Sequence, residues 1–182
     1  RICRNDRIDI QALKAVPAAR TVLFELLSAY GFNSVQAEEV FDHLDGCSGK
    51  VYESHEWRLL RDRKTLVLSR KDEQYKCLCH VLPLEGCVKV TQDLTFLIRR
   101  VHYDRHFTIP RSKDTVCLDL DKIEYPITVR LVQEGDRFVP FGMTGQKLVS
   151  DYLTNCQKNL FEKERQLVVC SGEHIAWLVN ER

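Results

Sequence analysis

The most informative stretch of this sequence reads Gly135-Asp136-Arg137-Phe138-Val139-Pro140-Phe141-Gly142-Met143-Thr144-Gly145. Its glycines allow positive backbone dihedral angles or the close approach of another segment, and its proline fixes its own φ. Two aromatic side chains and two adjacent opposite charges complete it. We therefore predict a rigid, shaped loop, and the residues expected to set its geometry are Gly135, Asp136, Pro140, Gly142 and Gly145.

The residues on both sides of this loop carry the pattern of a mainly β domain. Alternating apolar residues predict strands before the loop, at residues 75–82, 88–91, 94–102, 115–119 and 127–132. After the loop, helical spacing predicts a helix from about residue 147 and a short helical turn over residues 160–165. Residues 167–170 and 174–179 are predicted to close the domain as a hairpin.

Residues 1–72 show a different pattern, in which helical spacing gives way to alternation. Pro17 suits the first turn of a helix that ends at Gly31, and Asn33 or Ser34 can cap a second helix. Three short alternating runs from residue 50 to residue 69 then predict a β-meander. We expect an α+β protein: a small helical hairpin with a β-meander in residues 1–72, followed by a mainly β domain with one or two short helices in residues 73–182.

The meander contains the most basic window that we identify in the sequence. Between Trp57 and Lys71 a single acidic residue, Asp62, stands among Arg58, Arg61, Arg63, Lys64, Arg70 and Lys71. Such a cluster can bind phosphates, and a solvated charged face explains it equally well. Trp57 could stack on a base or be buried in the hairpin. Because the net charge is only +1, any affinity for nucleic acid must come from local patches.

The eight cysteines are scattered among well-patterned segments, at positions 3, 47, 77, 79, 87, 117, 156 and 170. We expect reduced thiols, many of them filling the core. Cys77 and Cys79 alternate with Leu78 and His80 as strand residues do, so we expect no zinc site there. A thiol or metal protein built on Cys77, Cys79 and Cys87 is the least favoured interpretation.

No apolar run approaches the ~18 residues of a membrane span, and the first residues lack the apolar core of a signal peptide. The sequence begins at Arg1 without a methionine and stops abruptly at Arg182. We therefore expect an excised piece of a longer protein, located in the cytoplasm.

The loop from Gly135 to Gly145 resembles part of the C-terminal domain of the tRNA(Ile)-lysidine synthetases. The resemblance continues through the strand pair around Trp177 and through six positions after the loop: Lys147, Ser150, Asp151, Tyr152, Glu162 and Arg165. The helical hairpin and the Arg-Asp-Arg meander are similar to the domain that precedes it in that family. The resemblance implies an ATP- and Mg²⁺-dependent carbon–nitrogen ligase that adenylates C2 of the wobble cytidine of tRNA(Ile), after which lysine displaces AMP.

In that family the ATP chemistry belongs to an N-terminal domain with a Ser-Gly-Gly-x-Asp-Ser loop, and this sequence contains no such loop. The resemblance therefore implies no catalytic residue and no cofactor in these residues, whose work is to hold tRNA(Ile). Their other partner is the protein's own N-terminal catalytic domain, and a homodimer is possible.

The candidates for tRNA contact are Arg130, Arg137, Lys147, Arg165, Arg58, Arg61, Arg63 and Lys64. Arg137 could instead brace the loop through an internal ion pair with Asp136, Asp151 or Glu162. An RNA-binding or protein-interaction accessory module of another enzyme is the alternative function.

Overall fold

A computed structural model describes residues 3–4, 6–71 and 78–181 of the chain. The chain divides into two compact units. One is Arg1–Asp72 with Asn159–Phe161, and the other is Glu73–Lys158 with Glu162–Arg182. Five α-helices and several antiparallel sheets make the fold α+β, as the sequence predicts. None of the helices in the described ranges is long and apolar enough to cross a membrane.

The described residues of the first unit form three complete helices and one antiparallel sheet. Its elements are β1 (Cys3–Arg4), β2 (Arg7–Asp9), α1 (Ile10–Lys14), α2 (Ala19–Ser28), α3 (Ser34–Asp42), β3 (Val51–Glu53), β4 (Trp57–Asp62) and β5 (Thr65–Arg70). The strand order is β1-β2-β5-β4-β3, so the predicted meander is extended by the N-terminal strands. The short α1 is an element that the sequence pattern did not predict.

Of the two caps predicted for α3, Asn33 and Ser34, the structure has Asn33. The Asn33 side chain accepts a hydrogen bond from the Gln36 amide at 2.9 Å, and the Gln36 side chain accepts one from the Asn33 amide at 3.0 Å. This reciprocal pair is a capping box, which satisfies two amides that the first helical turn leaves without partners.

The sheet of the first unit covers the apolar stripes of the helices. Leu59 of β4 and Leu66 of β5 belong to the core that also contains Leu23 and Leu27 of α2. Leu60 is buried in a separate cluster, with Val67 and Phe161. Since neighbouring residues of a strand point to opposite faces, this division matches the period of two in the sequence.

The second unit is built on a four-stranded antiparallel sheet of order β13-β12-β9-β6, with two separate two-stranded ribbons, β7–β8 and β10–β11. The elements are β6 (Cys79–Val81), β7 (Gly86–Lys89), β8 (Thr95–Ile98), β9 (Ile127–Leu131), β10 (Arg137–Phe138), β11 (Lys147–Leu148), α4 (Val149–Asn155), α5 (Leu160–Glu164), β12 (Leu167–Ser171) and β13 (His174–Leu178). The first two residues of α5 belong to the first unit. The two predicted short helices are therefore present, and so is the closing hairpin.

The strand predicted at residues 115–119 is wrong. Between residues 99 and 126 the only helix or strand is one 3₁₀ turn, Leu120–Lys122. Residues 115–119 are all exposed, so their alternating apolar residues cover no buried face. The segment also pairs with no strand of the described residues. The strand predicted over residues 94–102 is shorter in the structure, where it spans only Thr95–Ile98.

Alternation along β12 gives the sheet of the second unit two apolar faces. Leu167 and Val169 contribute to one core, and Val168 and Cys170 contribute to another. The second of these cores contains Phe138 of β10 together with Val149 and Leu153 of α4. The loop that the sequence singles out is thus anchored on the sheet at both of its ends.

Candidate nucleic-acid interface

Two tight turns give the loop its shape, and each has glycine at its third position. The Asp136 amide donates to the Gln133 carbonyl at 3.2 Å, and the Met143 amide donates to the Pro140 carbonyl at 2.9 Å. The third residues of these turns, Gly135 and Gly142, have φ of +85° and +80°. A positive φ at that position is the requirement of a type II turn and strongly favours glycine.

Gly145 differs from the other two glycines of the loop. Its φ lies outside the left-handed range, and a Cβ built on it would meet no atom within 4 Å. The structure therefore gives no conformational reason for glycine at position 145. The prediction that Gly145 shapes the loop finds no support in its geometry.

Arg130 and Asp136 form a two-pronged ion pair at the base of the loop. Arg130 Nη1 lies 2.7 Å from Asp136 Oδ2, and Nη2 lies 3.0 Å from Oδ1. The same carboxylate accepts a hydrogen bond from the Gln133 amide at 2.8 Å, and Arg130 Nη1 also donates to the Leu131 carbonyl. The side chains are only 19% and 13% exposed, so this arginine is directed into the protein.

The pair changes the titration of both groups. Burial alone would raise the pKa of the Asp136 carboxyl, but the hydrogen bonds from Arg130 and the Gln133 amide, with the charge of Arg130, outweigh it and lower that pKa. The hydrogen bond to Asp136 raises the pKa of Arg130. Asp136 therefore stays ionised at neutral pH and holds the start of β10 in place.

Arg137 and Lys147 are the exposed cations at the two ends of the loop. Among the described residues, neither side chain has a hydrogen bond or ion-pair partner. The internal ion pair considered for Arg137 is thus not formed with Asp136, Asp151 or Glu162. The strand register pairs Arg137 with Leu148 and Phe138 with Lys147, which places the two cations on opposite faces of the ribbon.

Phe141 lies at the tip of the loop and is 93% exposed. It occupies the second position of the turn from Pro140 to Met143, while Pro140 and Phe138 on either side of Val139 are buried. A phenylalanine in this position contributes nothing to the core. Sequence reasoning missed it because an apolar residue is normally taken as a core residue, and only the structure places it on the surface.

Three of the six cations of the meander are paired with acidic residues, and one of these three also meets an aromatic ring. Arg58 Nε lies 3.5 Å from Glu53 Oε1, and its guanidinium lies 4.7 Å from the centre of the Phe161 ring. Lys71 also reaches Glu53, at 3.0 Å, and Arg70 pairs with Glu56 in the turn between β3 and β4, at 3.1 Å. Both glutamates precede Trp57 in the sequence, so they lie outside the basic window between residues 57 and 71.

Arg61 uses its guanidinium to hold the chain that follows α3. Its Nη2 donates to the Leu44 carbonyl at 2.9 Å, its Nε donates to the same oxygen, and its Nη1 donates to the Ser48 hydroxyl at 3.1 Å. These contacts join β4 to the end of the helical hairpin. Arg61 is therefore committed to the fold.

Three further candidates are exposed. Arg63 and Lys64 form the turn between β4 and β5, where Arg63 has φ of +43°, and Arg165 follows α5. Within the described ranges the Lys64 ammonium has no hydrogen bond or ion-pair partner. By contrast, the rings of Trp57 and Tyr30 lie nearly perpendicular, with centroids 4.8 Å apart, so the Trp57 ring packs against the helices.

The cysteines correct one expectation of the sequence analysis. Of the six whose side chains the structure describes, five are exposed and only Cys170 is buried, so most are not core fillers. Cys77 lies outside the described residues. Over the described part of the chain, no group of three or more histidine, cysteine, aspartate or glutamate residues could hold a metal ion.

A second exposed cationic segment, over residues 99–113, was not recognised from the sequence. Its signal was present: five lysines and arginines stand against one aspartate. The alternating residues 94–102 predict a strand there, and a strand pattern does not indicate that the arginines are exposed.

Comparison with known proteins identifies relatives of the whole chain. A family model described as the TilS substrate binding domain matches residues 4–71. Over its full length the chain is 40% identical to a tRNA(Ile)-lysidine synthase of Bacteroides thetaiotaomicron and 37% identical to one of Parabacteroides distasonis. A Porphyromonas gingivalis enzyme of the same name is 29% identical over 94% of the chain. The chain spans about 40% of the length of these relatives.

Proposed function

The chain belongs to the tRNA(Ile)-lysidine synthase family, and on this basis we propose that it is the tRNA-recognition part of a lysidine-forming ligase. The ligase joins lysine to C2 of the wobble cytidine of tRNA(Ile) in the cytoplasm. ATP and Mg²⁺ serve an upstream catalytic domain, and these residues bind and position the tRNA. This division of labour matches the share of its relatives that the chain covers, about 40%.

The observation that carries the proposal is the pair of exposed cations, Arg137 and Lys147, on a loop whose base is locked by Arg130 and Asp136. Without an internal partner among the described residues, each is available to a phosphate. A rigid base keeps the ends of the loop at fixed positions. Because the loop is already ordered in the folded protein, less conformational entropy is lost when RNA binds.

The eight candidate cations divide by geometry into two roles. We assign phosphate contacts to the exposed ones, Arg137, Lys147, Lys64, Arg63 and Arg165. We assign structural roles to the three whose guanidinium groups are directed at other parts of the protein, Arg130, Arg58 and Arg61. Phosphate contacts made by the exposed set supply affinity without sequence preference.

Phe141 supplies a different kind of contact in this proposal. Sequence-specific proteins read single-stranded RNA partly by stacking unpaired bases on aromatic rings, and each stacked base is worth about 1–3 kcal/mol. An exposed ring between Arg137 and Lys147 in the sequence suits an unpaired nucleotide of the tRNA. Its removal is expected to weaken binding at all salt concentrations by a similar factor.

No catalytic step is assigned to these residues. The sequence holds no Ser-Gly-Gly-x-Asp-Ser loop to cradle ATP, and the carboxylates of the described ranges do not group into a cation site. In the ligase, ATP supplies the adenylate that activates the cytidine. The residues of this chain would position the tRNA for the upstream catalytic domain. A homodimer remains a prediction, which sedimentation analysis can test.

The test measures binding of the chain to an isoleucine tRNA transcript by fluorescence anisotropy between about 50 and 200 mM KCl. We expect binding that weakens steeply with salt. The variant Arg137→Gln is expected to reduce the slope of log K against log salt by about one. Phe141→Ala is expected to lower the affinity and leave that slope unchanged.

Glu134→Gln is the matched control, because Glu134 is exposed beside the loop and its loss removes an anion. It should bind at least as tightly as the wild type. Far-UV circular dichroism and urea midpoints establish that each variant is folded. Binding of the wild type that does not respond to salt would refute the proposed function.

A further inference from the structure

The segment from residue 99 to residue 113, here named the basic arm, lies between β8 and the 3₁₀ turn at Leu120–Lys122. It contains no strand and no helix, and all but one of its residues are exposed. Irregular segments longer than about 12–15 residues are uncommon inside compact domains and are often functional. The basic arm is therefore a place to look for a binding surface.

The composition of the basic arm is strongly cationic. One acidic residue, Asp104, stands against five basic ones, Arg99, Arg100, Arg105, Arg111 and Lys113. The chain as a whole is nearly neutral, at +1, so this local excess is a feature of the arm. A surface with this balance attracts polyanions.

The four arginines of the arm have no internal use for their charge. Within the described ranges, no hydrogen bond or ion pair involves the guanidinium of Arg99, Arg100, Arg105 or Arg111. Lys113 differs, because its Nζ lies 3.9 Å from Glu181 Oε2. The contrast with the meander is clear, since most of the meander cations form ion pairs or hydrogen bonds within the protein.

The carboxylates near the arm are occupied by other donors. Asp104 Oδ1 accepts from the His106 amide at 2.8 Å, and Glu85 Oε1 accepts from the backbone amide of Arg100 at 3.3 Å. Asp114 accepts from two neighbouring hydroxyl groups, which lower the pKa of its carboxyl. The fold thus satisfies its acids locally and leaves the guanidinium groups to the solvent.

Exposed apolar side chains alternate with these cations. Val101 is 61% exposed, Tyr103 is 76% exposed and Ile109 is 58% exposed. The ring of Tyr103 lies 6.1 Å from that of Phe107, in an edge-on arrangement that supports it while leaving most of it accessible. Arginine interleaved with accessible aromatic rings is typical of surfaces that bind RNA through phosphates and bases together.

We propose that the basic arm is a second tRNA-contacting surface, in which Arg99, Arg100, Arg105 and Arg111 bind backbone phosphates and Tyr103 packs against a base or ribose. The inference rests on the proposed function and extends it to a segment outside the loop. Arginine suits this role because its planar fork matches the oxygens of a phosphate. Each contact releases condensed counterions and so adds about one unit to the salt dependence.

The test compares the double variant Arg105→Gln/Arg111→Gln with the wild-type chain, using an isoleucine tRNA transcript and anisotropy over a salt series. We expect the slope of log K against log salt to fall by about two. One unit of this slope corresponds to a tenfold change in the binding constant between 1 M and 0.1 M salt. Near 0.1 M salt, each lost contact should therefore weaken binding roughly tenfold. Arg105→Lys/Arg111→Lys keeps the charges and should recover most of the slope.

The matched control is Lys14→Gln/Arg20→Gln, which removes two charges from side chains already paired with Asp45 and Asp42. It is expected to change the slope by less than one. A wild-type chain that binds tRNA with the same slope as Arg105→Gln/Arg111→Gln overturns the inference and leaves the proposed function standing. A wild-type chain that does not bind tRNA overturns both.

Discussion

Asp136 accepts two hydrogen bonds from the guanidinium of Arg130, at 2.7 and 3.0 Å, and a third from the Gln133 amide at 2.8 Å. One carboxylate thereby joins the end of β9 to the start of β10. The Asp136 carbonyl also accepts from the amide of Val149, at 2.9 Å, so the same residue fixes the start of α4. The positions of both ends of the loop thus depend on one residue.

Asp136→Asn should therefore lower the stability of the second unit. Removing one partner of a largely buried charged pair leaves the other poorly satisfied, and we expect a loss of about 1–3 kcal/mol in the free energy of unfolding. Arg130→Lys should lose part of this, because an ammonium cannot form the two-pronged contact. Urea denaturation measures both, and an unchanged midpoint for Asp136→Asn would contradict the structural role.

The same pair predicts a specific loss of stability in acid. The folded-state pKa of Asp136 lies below its unfolded value of about 3.9, so its contribution is complete above that pH and is lost as the pH falls through the folded pKa. The difference in unfolding free energy between wild type and Asp136→Asn should therefore shrink below about pH 4. A difference that stays constant from pH 6 to the acid transition would argue against it.

The loop glycines offer a matched pair of substitutions. Gly142→Ala forces a side chain into φ of +80° and is expected to cost about 1–2 kcal/mol. Gly145→Ala meets open space at an ordinary φ and should be neutral or stabilise by up to about 1 kcal/mol, through the unfolded chain. Thermal or urea unfolding of both variants tests this, and equal losses would show that the turn geometry is not the cause.

Arg61 and Lys64 are both cations of the meander, yet we expect them to respond oppositely. Arg61→Gln loses charge-assisted bonds to the Leu44 carbonyl and should destabilise the first unit by about 1–2 kcal/mol, with the salt slope of tRNA binding unchanged. Lys64→Gln should leave stability within about 0.5 kcal/mol and reduce that slope by about one. Unfolding and anisotropy measured on the same samples separate the two effects.

Cys170 should be the slowest of the described thiols to react. It is 3% exposed, and burial raises the pKa of its thiol, so little nucleophilic thiolate forms at neutral pH. Iodoacetamide should label the exposed thiols of the native chain quickly, including Cys79 and Cys156, and should label Cys170 only on unfolding. Peptide mass spectrometry reads each site, and equal rates at Cys170 and Cys156 would overturn the prediction.

The elements that the sequence predicted correctly are those in which local chemistry decides the conformation. Asn33 and Gln36 are three residues apart, and the two hydrogen bonds of their capping box join only these two residues. The alternation along β4 and β5 likewise reports two faces of one sheet. The strand predicted at residues 115–119 failed because a strand also needs a partner, and no local pattern can guarantee one.

The sequence by itself determined the family resemblance, the α+β class and the turn at Gly142, because these depend on residue types at fixed short spacings. Only the tertiary structure decided which cations are available. Arg58 meets Glu53 across a strand pair, Arg61 reaches back to Leu44, and Arg130 closes on Asp136, whereas Arg137 stays exposed. The physical reason is that electrostatic partners are chosen by distance in space, and the fold brings together charges that a sequence window cannot count together.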